Sequence, residues 1–215
     1  MGFDWQVYAK LFAVSVLSAS VVSTLINVYF NSRKEARDHQ REAATSAASA
    51  VQALETYYCS AARMIVDADI SQEEVLRGEG GSSGIGLPKF AYPEDMDWKW
   101  LAPKTVSRLR GFPAAREAAQ RHLAMEWEHS LPPDHLWDIA VECATLANKA
   151  WVLAQSVRAD HRLGEAVLDD HDSYIPDLIA RTLRQREEAL ARMIEQNHQL
   201  RQLRLDTEVA RKSDR

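Results

Sequence analysis

Between Lys10 and Arg33 the chain runs for 22 residues without a charged side chain, and 14 of the 20 residues from Leu11 to Phe30 are Ala, Val, Ile, Leu, Phe or Tyr. At about 1.5 Å per residue, such a segment crosses a hydrocarbon core of roughly 30 Å as a helix. A retained anchor fits better than a cleaved leader. Ser18-Ala19-Ser20 has the small residues that a signal peptidase reads, but the apolar run continues for ten residues beyond it and the leader is barely basic. Only Asp4 and Lys10 precede the span, whereas Arg33, Lys34, Arg37 and Arg41 follow it closely, so the positive-inside rule places the C-terminal bulk in the cytosol. Trp5, Tyr8, Tyr29 and Phe30 stand near the two ends, where interfacial aromatics belong. The expected location is the bacterial inner (plasma) membrane, single-pass, with membrane lipid as one partner.

Ser15, Ala19, Ser23 and Asn27 recur every four residues within the span and form one small, polar stripe along a helix face. Such stripes let two backbones approach closely in lipid, which makes these four residues a candidate self-association surface. The plainer reading is that each hydroxyl bonds its own helix backbone.

No Gly or Pro occurs from Phe3 to Ala68, so the helix is expected to continue past the bilayer. Ala44, Ala47, Val51, Leu54, Tyr58, Ala61, Ile65 and Ala68 alternate steps of three and four, the spacing of a helical core stripe or coiled-coil seam. Ala at half of these positions points to close helix packing. From Arg77 to Pro103 the pattern breaks: five of the eight Gly fall between Gly78 and Gly86, and Pro88, Pro93 and Pro103 follow. The second half, Leu87 to Leu101, is too aromatic for a tether and is expected to pack back onto the helices. A short helix is expected from Pro103 to Gly111, another from Pro113 to about Ser130, a third from about Asp134 to His161 closed by Gly164, and a last from Asp172 or Ser173 to about Thr207.

The expected fold is therefore all-α: an N-terminal transmembrane helix continuing into a mostly antiparallel four-helix bundle with one long irregular connector. In segments, 1–10 is an N-terminal tail, 11–32 the transmembrane helix and 33–70 the juxtamembrane and first bundle helix. Then come the connector at 71–103, the remaining bundle helices at 104–207 and a basic tail at 208–215. Composition agrees, with 31 Ala against 15 Gly and Pro together. Two Cys cannot build a disulfide scaffold, and a net charge of -5 gives no reason to expect nucleic acid.

The most specific chemical pattern is a pair of Glu-x-x-His elements, Glu126 to His129 and Glu195 to His198, with Glu55 and Glu142 on two other helices. That order resembles the ferritin-like di-metal carboxylate bundles, whose ligands all point inward. Helical phase argues against convergence here. Glu195 projects nearly opposite the apolar face of Ile179, Leu183, Leu190, Met193, Ile194 and Asn197, while Glu142 lies about 120° from its core side and Glu55 sits at the flank of its stripe. Only Glu126 falls between core positions, near Ala119, Leu123 and Trp127, which makes it a candidate buried charge with Arg158 or Arg186 as partner. Asp169-Asp170-His171-Asp172 reads as a solvated turn with helix caps. Cys143 reads as a small core residue and no phosphate loop or serine elbow occurs, so no catalytic residue, metal ligand or cofactor is assigned.

Trp98 and Trp100, in the acidic-aromatic connector, are candidate partner contacts because Trp is enriched in binding hot spots; their other role is to strap the connector down. The anchor, Ala-Leu-Glu-Thr-Tyr-Tyr-Cys at 53–59 and Ala-Asn-Lys-Ala-Trp-Val-Leu-Ala at 147–154 together resemble bacterial single-pass membrane proteins with a helical soluble domain, themselves functionally uncharacterised. This likeness implies no activity. The function expected is a non-enzymatic, membrane-tethered interaction or scaffolding module working through self-association or a protein partner. Three alternatives follow: a membrane-anchored sensor or regulator with a small-molecule pocket near Glu126, Trp127, Trp137 and Trp151; a phage- or toxin-related envelope protein; and, last, a di-metal carboxylate enzyme.

Overall fold

Trp5–Arg77 (α1) is one unbroken helix because nothing within it can interrupt the backbone ladder, and it stops where a glycine first permits. Gly78 adopts φ +79°, with its N–H donating to the Val75 carbonyl at 3.0 Å and the Glu79 N–H donating to Glu74 at 3.0 Å. These two bonds form a Schellman stop. The helix thus runs past the expected end at residue 70, its last turn held by an ion pair of 2.9 Å between Glu73 and Arg77. The computed structural model describes the backbone of residues 5–79, 84–127 and 131–213, and the side chains of 27–79, 84–126, 131 and 133–202.

Three more long helices follow among the described residues: α2 (Pro103–Trp127), α3 (Pro132–His161) and α4 (Ile175–Ser213), with no strand. α1 and α3 form the central pair. Ala47, Val51, Leu54, Tyr58, Ala61, Ile65 and Ala68 of the expected stripe are all buried, facing Ala140, Cys143, Ala147, Ala150 and Ala154 of α3. Small side chains on both surfaces let the helix axes approach closely. Pairings along their length set the directions: Glu55 meets Arg158 while Gln72 donates to the Pro133 carbonyl at 3.3 Å, so α3 runs opposite to α1. Arg108 pairs with Asp160 and Thr145 with Arg186, which lay α2 and α4 along α3. α1, α2 and α4 therefore point one way and α3 the other.

This direction explains the connector. A chain leaving the far end of α1 must return to the near end before a parallel α2 can begin. Ile85 lies beside Ser71, and Trp100 meets His39 edge-on at 4.5 Å between ring centres. The stretch of α1 thus covered is about 48 Å long at 1.5 Å per residue. The strap runs back along that stretch without regular structure from Ile85 to Pro93, then closes with a turn in which the Met96 N–H donates to the Pro93 carbonyl at 3.2 Å and a single 3-10 turn at Trp98–Trp100. Its side chains hold it there: Leu87, Met96 and Leu101 are buried, and Phe90 sits edge-on between Tyr57 of α1 at 5.6 Å and Phe112 of α2 at 4.7 Å.

Three further expected boundaries are corrected. α2 does not break at Gly111 and Pro113 but passes through both. Burial of Phe112 and Leu109 outweighs a glycine penalty of about 1 kcal/mol, and the carbonyl that Pro113 cannot serve is served by the strap. Nor does Gly164 close α3. Arg162 takes the left-handed conformation at φ 54°, with Leu163 N–H donating to the Arg158 carbonyl at 2.9 Å. α4 also extends beyond Thr207, to Ser213.

The uncharged run falls mostly on residues whose side chains lie outside those described. Its backbone from Trp5 onward is helical. Among the described residues, no helix is long and apolar enough to cross a membrane.

Candidate functional site

Glu55, Cys59 and Arg63 recur every four residues and form one ridge along α1, at the edge of a groove of about 510 Å³ closed by Trp151 of α3 and the loop before α4. Its strongest bond is a two-pronged ion pair. Arg158 donates from Nε and Nη2 to the two Glu55 carboxylate oxygens at 2.8 and 2.9 Å, and from Nη1 to the Gly164 carbonyl at 2.6 Å. Both side chains are about one-fifth exposed, so the charges are only partly screened. The hydrogen bonds that Arg158 donates to Glu55 hold the guanidinium more firmly protonated. One guanidinium thereby fixes α1, α3 and the loop together.

Further along the groove, the Cys59 thiol donates to Asp172 Oδ2 at 3.8 Å. Burial first, then the negative Asp172, pushes the thiol pKa up, which suppresses the reactive thiolate. Cys143 is driven to about 12 by burial. Tyr58 stacks on Trp151 at 4.7 Å, and burial lifts its hydroxyl to about 12. Such an arrangement anchors a loop and holds its thiol and phenol protonated.

A smaller pocket of about 210 Å³ separates α2, α3 and α4, with Trp137, Val141, Leu190 and Met193 as its apolar wall and His122, Asp138, Glu142 and Arg186 at its rim. Burial raises the Asp138 carboxyl, Glu126 and Asp134 add to the rise, and His135 and His122 oppose it. His135 is itself lowered by burial. Glu126 corrects the expectation of a core charge. Its side chain is 48% exposed, 4.0 Å from His122 one turn back, because the last turn of α2 lies at the rim of the α2–α3 pair with Met125 also exposed. Neither proposed partner meets it: Arg158 is bound to Glu55, and Arg186 donates to Thr145 Oγ1 at 3.3 Å.

No family model, curated protein or solved structure matches this chain. Its residues alone carry the functional reading.

Trp98 and Trp100 are half-buried on the strap. Trp98 packs edge-on against Tyr92 at 5.3 Å beneath the Arg110 guanidinium, and Trp100 meets His39. These contacts do the strapping work set out above. Ser15, Ala19 and Ser23 lie outside the described side chains; Asn27, the first residue of the stripe that is described, is exposed. Glu55, Glu142 and Glu195 do not converge: Glu55 is engaged by Arg158, Glu142 lines the α2–α4 pocket and Glu195 is exposed beside Gln199. His129 lies outside the described residues, among which no cluster of three or more His, Cys, Asp or Glu is placed to hold a metal. Trp151 and Trp137 line separate hollows, and the Trp127 side chain is not among those described.

Sequence reasoning missed the Glu55–Arg158 clamp, whose partners are 103 residues apart. Glu55 at the flank of its stripe was the available signal, and an antiparallel register of α1 on α3 pairs it with Arg158.

Proposed function

We propose that this chain is a membrane-tethered helical interaction module, with residues 11–32 crossing the bilayer and a mostly antiparallel four-helix bundle carried on the cytosolic side. The observation that carries the reading is the continuity of α1. A single helix begins at Trp5, passes through the uncharged run and enters the core only at Ser46, so anchor and cargo share one rod. Residues 27–42 are all exposed, leaving a spacer of about 20 Å between Arg33 and the core.

α4 supplies the contact surface at the other end. It runs the same way as α1, away from the anchor, and beyond Arg186 its apolar side chains lose their cover: Leu190, Met193, Ile194 and Leu200 are 44 to 69% exposed. Leu190, Met193, Asn197 and Leu200 follow steps of three and four, and an Asn on such a seam favours pairing with a second copy in register. Helical register makes this a better self-association surface than the membrane stripe of Ser15, Ala19, Ser23 and Asn27. Arg33, Arg37 and Arg41 continue that stripe's azimuth, so a symmetric pair meeting there would set guanidiniums against one another.

Alkaline carbonate extraction of membranes, combined with paired C-terminal reporters active in opposite compartments, tests the tether. Protein retained in the pellet with only the cytosolic reporter active is expected. Release into the supernatant, or maturation by cleavage near residue 21, would overturn it.

A further inference from the structure

The charges just beyond the uncharged run are sorted by side. At about 100° per residue, taking Arg33 as zero, Arg37 falls at about 40°, Arg41 at about 80° and Lys34 at about 100°, while Asp38, Glu42 and Glu35 fall at about 140°, 180° and 200°. Four cations thus share one arc of α1 and three acids share the next. Phe30, 64% exposed, stands at about 60°, in the middle of the cationic arc. His39 stands at about 240°, nearly opposite, and that is the side on which Trp100 lies. The strap covers the back of the rod and leaves the cationic face open. Among the described residues, none of the four cations enters an ion pair, although Lys34 and Asp38 are one turn apart. Arg33 instead lies over the Tyr29 ring, 4.9 Å from its centre.

We infer that this face of α1 binds the phosphates of anionic lipid headgroups, an inference that rests on the membrane reading of residues 11–32. Four cations strung along a convex helix, with no concave wall around them, do not enclose a single small anion. They match a sheet of charges. The aromatic pair Tyr29 and Phe30, edge-on at 6.0 Å, is placed to sit at the level where acyl chain meets headgroup. Arg41 lies about 12 Å further along the axis than Arg33, more than the roughly 5–8 Å depth of one headgroup layer. For Arg41 to reach phosphate the rod must lean toward its cationic side, within the 0–40° range of tilt that spanning helices adopt. The lean would fix which side of the domain faces the bilayer.

The test uses the full chain reconstituted into phosphatidylcholine bilayers carrying spin-labelled phosphatidylglycerol or spin-labelled phosphatidylcholine, with the motionally restricted fraction of each lipid measured. The wild type is expected to restrict the anionic lipid several-fold more than the zwitterionic one. The quadruple variant Arg33→Gln, Lys34→Gln, Arg37→Gln, Arg41→Gln should bring the ratio close to one, as should high salt. All four positions are exposed and outside the core, so an unchanged far-ultraviolet circular dichroism spectrum is expected of the variant. Equal restriction of both lipids by the wild type, or a selectivity that survives in the variant, would overturn the inference. Carbonate resistance of the same preparations separates the two readings. A chain that resists extraction yet shows no lipid preference loses the headgroup site and keeps the tether, whereas a chain extracted from both bilayers loses the two together.

Discussion

The Tyr92 hydroxyl donates to the Leu109 carbonyl at 2.8 Å, and Leu109 is the residue four before Pro113. In an uninterrupted helix that carbonyl would accept from the N–H of residue 113, which proline lacks. The strap thus repairs a defect in α2, and the helix continues where its sequence says stop. Tyr92→Phe should cost about 1–2 kcal/mol, because the partly buried carbonyl then has neither donor. Pro113→Ala restores an N–H at the right place, so the same Tyr92→Phe change should cost much less in that background. Thermal or denaturant unfolding of the four proteins in this cycle gives the coupling directly, and strictly additive effects would refute the repair.

That contact also marks what a sequence can disclose. The stripe from Ala47 to Ala68 was legible because a helical period is a local property, and so was the return of the strap, since Phe90, Tyr92 and Trp98 are costly to leave in water. The continuity of α2 was not legible. Gly111 and Pro113 are honest breakers, and only a hydroxyl from another segment cancels one of them. Glu126 failed for a related reason: helical phase gives the side on which a residue lies but not whether a neighbouring helix extends far enough to cover it. The left-handed residue after α3 could not be placed from composition because an arginine, rather than the nearby Gly164, adopts it.

Arg158 closes a loop as well as an ion pair. Glu55→Gln removes the charge that the Nε–Nη2 edge of the guanidinium faces and leaves Arg158 with the Gly164 carbonyl and a single amide oxygen. A loss of about 1–3 kcal/mol is expected for a pair this well sheltered. The loop between α3 and α4 should loosen with it. Limited proteolysis should cut between residues 162 and 174 several-fold faster in the variant, and an unchanged cleavage rate would show that the loop does not depend on the clamp.

Arg162 pays a steric penalty for ending α3, since its Cβ crowds the backbone at positive φ. Its side chain is exposed. Arg162→Gly should therefore stabilise the protein by about 0.5–1 kcal/mol despite the greater freedom of glycine in the unfolded chain, whereas Gly164→Ala should have little effect. Melting temperatures that rise with Gly164→Ala and fall with Arg162→Gly would reverse the assignment of the stop.

Asp138 links stability to pH. Burial holds its carboxyl above the ordinary range, so the folded state binds the proton more tightly than the unfolded chain does. The stabilisation from that difference is fully present below an unfolded pKa of about 3.9 and is lost as pH rises through the folded value. At neutral pH the ionised group opposes folding. Asp138→Asn cannot ionise and should melt at a higher temperature than the wild type at pH 7.5, with the advantage shrinking toward pH 4. His135, whose pKa burial lowers and Asp138 raises, is lowered further once that carboxylate is gone, so its protonation costs the variant more as pH falls and narrows the gap in the same direction. A gap that stays constant over this range would mean that Asp138 is not the titrating group.

If the bilayer holds neighbouring molecules upright, their α4 helices run parallel and equivalent residues face one another. Asn197 then meets its own counterpart, flanked by Met193 and Leu200, whereas Glu195 points away from the seam. In a Cys59→Ser background, with Cys143 sealed in the core, Asn197→Cys should form a disulfide-linked dimer under mild oxidation and Glu195→Cys should not. Leu190→Asp together with Met193→Asp should abolish the Asn197→Cys crosslink by placing two like charges from each copy on the seam. The crosslink reads geometry and the charge pair reads apolar association, so each guards the other against chance collision. Equal crosslinking at positions 195 and 197 would mean that the helices meet at random, and the exposed leucines of α4 would then need a different partner.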